Sequence, residues 1–234
     1  MSKKTIVIIP TFDEAENIEI IINQICNLNL DCLIIDDGSP DGTSNIVKCN
    51  NNYGKNVFLI DRGSKKGYAS ACVEGFDWAI QNNYYKIVQM DADLSHSVDD
   101  LKKLLFESDK FDLVIGSRYV NGGQIIGWSY FRLTLSKYAN KFAKFILRTN
   151  ILDLTSGFRI YKVWILQSIG IKQFKSEGYG FLVEILNEVI HKNYSIKEIP
   201  ILFNDRQFGK SKMSIYVIFD GFKNLLRIGF KNYF

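Results

Sequence analysis

"IVQMDADLSHS", residues 87–97, runs from an apolar stretch straight into acid. Its first residues read as a buried strand, and the polar residues mark where that strand stops. On an extended chain, Asp91 and Asp93 lie two positions apart and point the same way. Two carboxylates so placed repel one another unless a positive group sits between them. In an open α/β sheet, ligands bind at the carboxyl ends of the strands, which is where this pair falls.

The neighbouring segments repeat the design. Residues 5–9, 32–36, 57–61, 86–90 and 112–116 are short and almost continuously apolar, as strands covered on both faces must be. Amphipathic helices are predicted near 14–27, 42–49, 67–82 and 98–107. Asp13 with Glu16, and Ser97 with Asp100, fit capping boxes that would start two of them. The βαβα alternation predicts an α/β fold with a mainly parallel sheet. Each strand leads into a polar loop: "PTFDEAEN", "DDGSPDGT", "DRGSKKG", "DADLSHS" and "GSRYVNGG". Five such loops put acids, Arg, Lys and Gly along one rim. Beyond residue 120 the pattern turns to long amphipathic helices around another strand or two, among them "EIPILF" at 198–203.

Composition bounds the function. The net charge of +4 over 234 residues is too mild to imply a nucleic-acid partner. Cys26, Cys32, Cys49 and Cys72 form no CxxC pair and read as reduced, packing thiols. The first apolar run is too short for a signal peptide, and no stretch reaches the roughly 20 apolar residues that span a bilayer. The expectation is a cytosolic protein whose membrane contact, if any, is made at a surface.

Asp91 and Asp93 suit a hard divalent cation such as Mg²⁺ or Mn²⁺. The plainer role, capping the next helix, is already filled by Ser97. Asp37 is a candidate to accept from a base or ribose, although Pro40, Asp41 and Gly42 also suit a simple turn. Arg62, Lys65 and Gly67 are either phosphate neighbours or solvated residues. His96 sits beside the acids, and His191 reads as surface. No Gly-x-Ser-x-Gly, P-loop or Gly-x-Gly-x-x-Gly motif is present. A dehalogenase-type phosphatase carries its acid pair after the first strand, not the fourth. A pyrophosphorylase needs a Gly-rich Arg loop where this chain has "PTFDEAEN". A receiver-like signalling domain would be shorter.

Seven stretches in order, "PTFDEAENI", "DDGSPDGT", "DADLSHS", "GSRYVNGG", "LTSGFRIYK", "SEGYGF" and "EIPILFNDRQFGKSKM", closely resemble the dolichol-phosphate mannose synthases, family 2 glycosyltransferases of the GT-A fold. The resemblance covers nearly the whole chain. It implies a Rossmann-like GT-A catalytic domain over 1–212, with an acceptor or membrane-surface helix at 128–148, and an amphipathic helix without a membrane span over 213–234. It implies inverting, metal-dependent transfer of mannose from GDP-mannose to dolichyl or another polyprenyl phosphate. A glucosyl- or aminosugar transferase using a UDP-sugar shares the same logic. By position, Pro10, Thr11, Glu14, Ile35, Asp37, Lys65 and Ala92 would line the nucleotide-sugar pocket, with Arg206 and Lys212 closing over the donor. Asp91 and Asp93 would hold Mg²⁺ or Mn²⁺ and the diphosphate. Arg118, Arg132 and Ser136 would meet the acceptor phosphate. Ser95 stands where some archaeal relatives carry a Gln metal ligand, "HSVDD" replaces the usual His-Pro-Pro, and "KKGYASA" replaces a more Gly-rich loop.

An acceptor phosphate is already anionic and needs no general base, which fits the lack of one. Its lipid tail implies a peripheral protein on the cytoplasmic face of a membrane, the endoplasmic reticulum if eukaryotic, with a small membrane-anchoring subunit as a possible partner. Within 128–148, Phe131, Leu135, Tyr138, Phe142 and Ile146 recur at helical spacing beside Lys137, Lys141, Lys144 and Arg148. That pattern suits either a membrane-surface helix or a core helix with a solvated back. Ile215, Ile218, Phe219, Phe222 and Leu226, beside Lys223, Arg227 and Lys231, repeat it.

Overall fold

The computed structural model describes residues 4–174, 176, 178–205, 225 and 227–229. Its first half alternates as expected: β1 (Thr5–Thr11), α1 (Ala15–Cys26), β2 (Asp31–Asp36), α2 (Thr43–Lys48), β3 (Val57–Asp61), α3 (Tyr68–Gln81), β4 (Lys86–Gln89), α4 (Val98–Glu107) and β5 (Leu113–Ser117). The second half adds β6 (Gln124–Ile126), α5 (Tyr130–Ile146), β7 (Arg159–Lys162), α6 (Val163–Ile169), α7 (Gly178–His191), β8 (Ile196–Pro200) and β9 (Leu202–Asn204).

Seven strands form one sheet in the order β3-β2-β1-β4-β7-β5-β8, and β6 pairs with β9 in a small second sheet. Alternate residues of β1 serve opposite faces. Ile6 and Ile8 join a core with α3, α6 and α7, while Val7 and Ile9 join one with α1 and α4. Each such fully buried aliphatic side chain contributes about 1.5–3 kcal/mol. That two-sided burial is why the strands read as unbroken apolar runs.

Strand β7 was not visible as a strand. It enters antiparallel between β4 and β5, pairing Arg159 with Gln89 and with Ile115. An antiparallel strand starts where its parallel neighbours finish, so the segment before β7 is delivered to the binding rim. Arg159 is wholly buried, and its guanidinium donates to the carbonyls of Ser156, Leu182 and Leu154 at 2.7–2.8 Å. It thereby ties that segment to α7.

Both helices start where expected, but the expected capping residue holds for α4 and not for α1. Ser97 Oγ accepts from Asp100 N at 3.0 Å, one half of the expected capping box, while the Asp100 carboxylate accepts instead from Lys103 and Leu202 N at 2.7 and 3.0 Å. Asp13 instead adopts a left-handed backbone, φ 57°. The amides of Glu14 and Ala15 donate to Thr43 and Asp41, at 3.1 and 2.9 Å. The second loop, not Asp13, therefore caps α1.

The expected apolar stripe of α5 is divided. Phe142 and Ile146 pack on the core beside buried Ala143 and Leu147. Phe131, Tyr138 and Phe145, spaced seven apart and 77%, 67% and 74% exposed, face outward. Arg206, Lys212 and most of 213–234 lie outside the described residues. Of the C-terminal helix, Leu225 and Ile228 are buried in the α3–α7 core, and Arg227 pairs with Glu184 at 3.2 Å. No helix among the described residues is long and apolar enough to cross a membrane.

Candidate active site

Strand β4 ends at Gln89, so Asp91 and Asp93 stand in the loop beyond it and not on extended chain. Both nevertheless line one pocket, with His96, Arg118, Trp128, Arg132, Thr155, Ser156, Gly157, Phe203 and Asp205. Five parts of the fold meet there: the β4 loop, the start of the segment after β5, the junction of β6 with α5, the segment before β7, and β9 with the residue after it.

Asp91 is oriented from behind. Tyr161 Oη donates to Gln89 Oε1 (3.1 Å), Gln89 Nε2 to Tyr68 Oη (2.9 Å), and Tyr68 Oη to Asp91 Oδ1 (3.4 Å). Burial holds the Tyr68 phenol well above its ordinary pKa, so it remains a donor. Gly157 belongs here because a Cβ would stand 2.9 Å from Tyr68 Oη and 3.5 Å from both Asp91 oxygens. Asp93 Oδ1 accepts from Ser95 N at 3.2 Å. His96 stacks on Phe158, with centroids 4.5 Å apart, and Nδ1 accepts from Asp91 N at 3.5 Å. Burial pushes its imidazole down to about 4, outweighing Asp93, so it braces the acid loop as a neutral ring.

On the other wall, Arg118 grips Asp153 with Nε–Oδ2 and Nη2–Oδ1 both at 2.7 Å. Burial alone would raise the Asp153 carboxyl; the Arg118 charge and hydrogen bonds reverse that and hold it low. Arg132 Nη1 meets Asp205 at 3.1 Å, and its guanidinium lies 4.0 Å above the Trp128 ring. Ser136 is not part of this lining; its hydroxyl accepts from Tyr119 Oη at 2.6 Å.

A family model described as glycosyl transferase family 2 matches residues 6–170. The chain belongs to glycosyl transferase family 2. It is 39% identical over 217 residues to the polyprenol monophosphomannose synthase of Mycolicibacterium smegmatis, covering 91% of this chain and 82% of that one. It is 33% identical over 228 residues to the undecaprenyl-phosphate mannosyltransferase of Micrococcus luteus, covering 97% and 94%. Among solved structures it resembles glucosyl-3-phosphoglycerate synthase from Mycobacterium tuberculosis bound to phosphoglyceric acid, with TM-score 0.72, 15% identity, and 97% and 80% coverage. The same enzyme with Mn²⁺, UDP-glucose and phosphoglyceric acid gives TM-score 0.70 at 16% identity, with 96% and 80% coverage. The fold is therefore GT-A, and the protein is a glycosyltransferase.

In this family 2 glycosyltransferase the expected nucleotide residues lie at the carboxyl ends of four strands, β1 to β4. Thr11 Oγ1 donates to Asp36 Oδ1 at 2.8 Å, and Pro10 pairs in register with Ile35. Glu14 accepts from Asn17 at 2.9 Å, and Ala92 is buried in the acid loop. The Ile35 side chain is spent in the core, and its backbone is paired between β1 and β3. Asp37 is more occupied than the sequence implied: it pairs with Arg62, and Oδ2 accepts from Gly67 N (2.8 Å) and Lys66 N (3.2 Å). It thus shapes the β3–α3 loop that presents Lys65, whose Nζ lies 3.9 Å from the Phe12 ring centroid. Gly38 lets the two loops meet; its φ is +71°, and a Cβ would fall 2.7 Å from Ser64 N.

A divalent cation fits the acid loop. Asp91 and Asp93 supply hard oxygens, and the buried Ser95 hydroxyl two residues on has no partner among the described residues. No group of three or more His, Cys, Asp or Glu is gathered among those residues. Mg²⁺-type sites are commonly completed by substrate phosphates, so two carboxylates suffice. The sequence reading missed Tyr68, Trp128, Asp153, Phe203 and Asp205. Trp128 carried one signal, a large aromatic just ahead of the α5 cap Ser129.

Proposed function

We propose that this glycosyltransferase moves mannose from GDP-mannose to a polyprenyl phosphate, with inversion at the anomeric carbon and with a divalent cation. The observation that carries the reading is the shared pocket: Asp91 and Asp93 face the same space as Arg118 and Arg132. The mannosyl and polyprenyl-phosphate parts draw support from the two relatives named above.

The two substrates are both anions, and their mutual repulsion is the physical obstacle. Asp91 and Asp93 would hold Mg²⁺ or Mn²⁺, which when bound offsets the charge of the donor diphosphate. Arg132, with Arg118 beside it, would draw the acceptor phosphate to the opposite side. Ser136, joined through Tyr119 to the Arg118 loop, would steady that wall. An acceptor phosphate oxygen, already anionic, forms the new bond to the anomeric carbon. The bond from that carbon to the diphosphate oxygen breaks, and GDP leaves. No proton has to be removed from the nucleophile, which agrees with a neutral, buried His96. Pro10, Thr11, Glu14, Ile35, Asp37, Lys65 and Ala92 would frame the nucleotide and diphosphate.

The exposed Phe131, Tyr138 and Phe145, flanked by exposed Lys137 and Lys141, would rest the α5 face on lipid headgroups. That would bring the acceptor phosphate to the pocket from the membrane surface.

A donor panel tests the proposal. The protein is incubated in detergent with a polyprenyl phosphate, Mg²⁺ or Mn²⁺, and either GDP-mannose or UDP-glucose. A mannolipid of inverted anomeric configuration from GDP-mannose supports it, and a glucolipid in its place overturns the donor assignment.

A further inference from the structure

Two polar groups in the pocket wall lack what buried polar groups normally have. Trp128 Nε1 and Arg132 Nε are both buried and make no hydrogen bond among the described residues. Buried donors are nearly always paired, because an unpaired one has lost its water without gaining a partner. A site that binds an oxygen-rich anion supplies the missing acceptor when the ligand arrives.

The two donors belong to one construction. The Arg132 guanidinium lies over the Trp128 ring at 4.0 Å, Phe203 meets that ring edge-on at 5.5 Å, and Arg118 Cζ lies 5.5 Å from it. The indole is therefore held rigidly and carries Arg132 on its face. An indole N–H donates and never accepts, so it calls for an acceptor, and a phosphate monoester is a group whose outer oxygens are all strong acceptors.

Topology says which phosphate. Asp37 and Lys65 follow β2 and β3, at one edge of the sheet. Trp128 follows β6 in the excursion after β5, on the far side of β4 and its acid loop. It shares that location with Arg132, four residues on.

We infer that Trp128 is an acceptor-binding residue whose indole N–H donates to the phosphate of the prenyl monoester while its ring positions Arg132. The inference rests on the proposed acceptor class and adds to it a neutral donor that sequence reading did not identify. Charge from Arg132 attracts the phosphate; the fixed indole direction sets its orientation for attack.

The test uses the indole proton itself. The whole protein, labelled with ¹⁵N, carries three tryptophans, Trp78, Trp128 and Trp164, and Trp128→Phe identifies the cross-peak that matters. Citronellyl phosphate, a short soluble prenyl phosphate, should move the Trp128 indole proton downfield and leave the other two nearly unchanged. GDP with Mg²⁺ should move it far less. Trp128→Phe, which keeps a ring under Arg132, should lower kcat/KM for polyprenyl phosphate by roughly tenfold with GDP affinity unchanged. An indole proton indifferent to citronellyl phosphate, or one that answers only to GDP with Mg²⁺, overturns the inference, as does a Trp128→Phe enzyme with the wild-type kcat/KM for acceptor. If citronellyl phosphate shifts the peak but no mannolipid is ever formed, the Trp128 site stands and the mannosyl-transfer reading falls.

Discussion

Arg118 and Asp153 form a bidentate ion pair, two bonds of 2.7 Å, with side chains 7% and 0% exposed. The Arg118 backbone N–H adds a third bond to the same carboxylate at 3.0 Å. This pair fixes the wall of the pocket that faces the acid loop. Replacing one partner strands the other charge in a dry environment, which typically costs about 3–5 kcal/mol. Asp153→Asn should therefore lower the melting temperature by roughly 6–20 °C in a chain of this size. The Asp153 carboxyl is held low when folded. Its stabilisation is therefore complete above the ordinary aspartate value of about 3.9 and is lost as pH falls through the depressed folded value. Calorimetry at pH 7 should show the full gap between wild type and Asp153→Asn, and below pH 4 the gap should close.

The Tyr161–Gln89–Tyr68–Asp91 relay makes a different prediction. Tyr68→Phe removes only the hydroxyl that reaches Asp91. Losing an outer hydrogen bond to a metal-binding side chain commonly weakens the site by about 10–100-fold. Mn²⁺ affinity, read by paramagnetic resonance, should fall by roughly tenfold with a melting temperature within a few degrees of wild type. Wild-type Mn²⁺ affinity in Tyr68→Phe would remove the relay from the account.

Arg132→Ala should separate the two phosphates. A charge-assisted contact to a phosphate contributes about 1.5–3 kcal/mol. The rate at limiting polyprenyl phosphate should thus drop by about tenfold or more. Calorimetric affinity for GDP-mannose without lipid should stay near wild type. Donor affinity lost together with an unchanged acceptor dependence would move Arg132 to the donor side.

The outward aromatics of α5 predict a surface effect confined to lipid. Changing Phe131, Tyr138 and Phe145 together to Ser should release the protein from anionic liposomes in a flotation assay. Turnover of citronellyl phosphate in solution should persist, because none of the three lines the pocket. Unaltered flotation would rule out this face as the contact.

Much of this was legible in the chain, and the exceptions share a cause. Strands β1 to β5 announced themselves because burial on both faces leaves no room for polar residues. "RIYK" did not, since Arg159 and Lys162 look like surface residues; Arg159 is buried only because three carbonyls receive it. Asp13 looked like a helix cap, but its left-handed backbone hands that task to Asp41 and Thr43 from another loop. The acid pair and Arg118 were readable as rim residues from local order, whereas the place of Arg132, on α5, was implied only by the family resemblance and its helical spacing from Ser136. Asp153, Tyr68 and Trp128 were not: Arg118 lies 35 residues from Asp153, Asp91 lies 23 from Tyr68, and Phe203 reaches Trp128 only through the pairing of β6 with β9. Asp37 was readable as a rim residue, while its hold on the β3–α3 loop was not.

The central claim is that one pocket joins a donor diphosphate held at Asp91 and Asp93 to an acceptor phosphate held across from it. The most direct measurement follows radiolabelled mannose from GDP-mannose into the organic phase with a polyprenyl phosphate and Mg²⁺ or Mn²⁺. The account expects label in the lipid for wild type, none after chelation, and none for a folded Asp93→Asn protein. Label that reaches the lipid equally well with Asp93→Asn or in the presence of a chelator would contradict it.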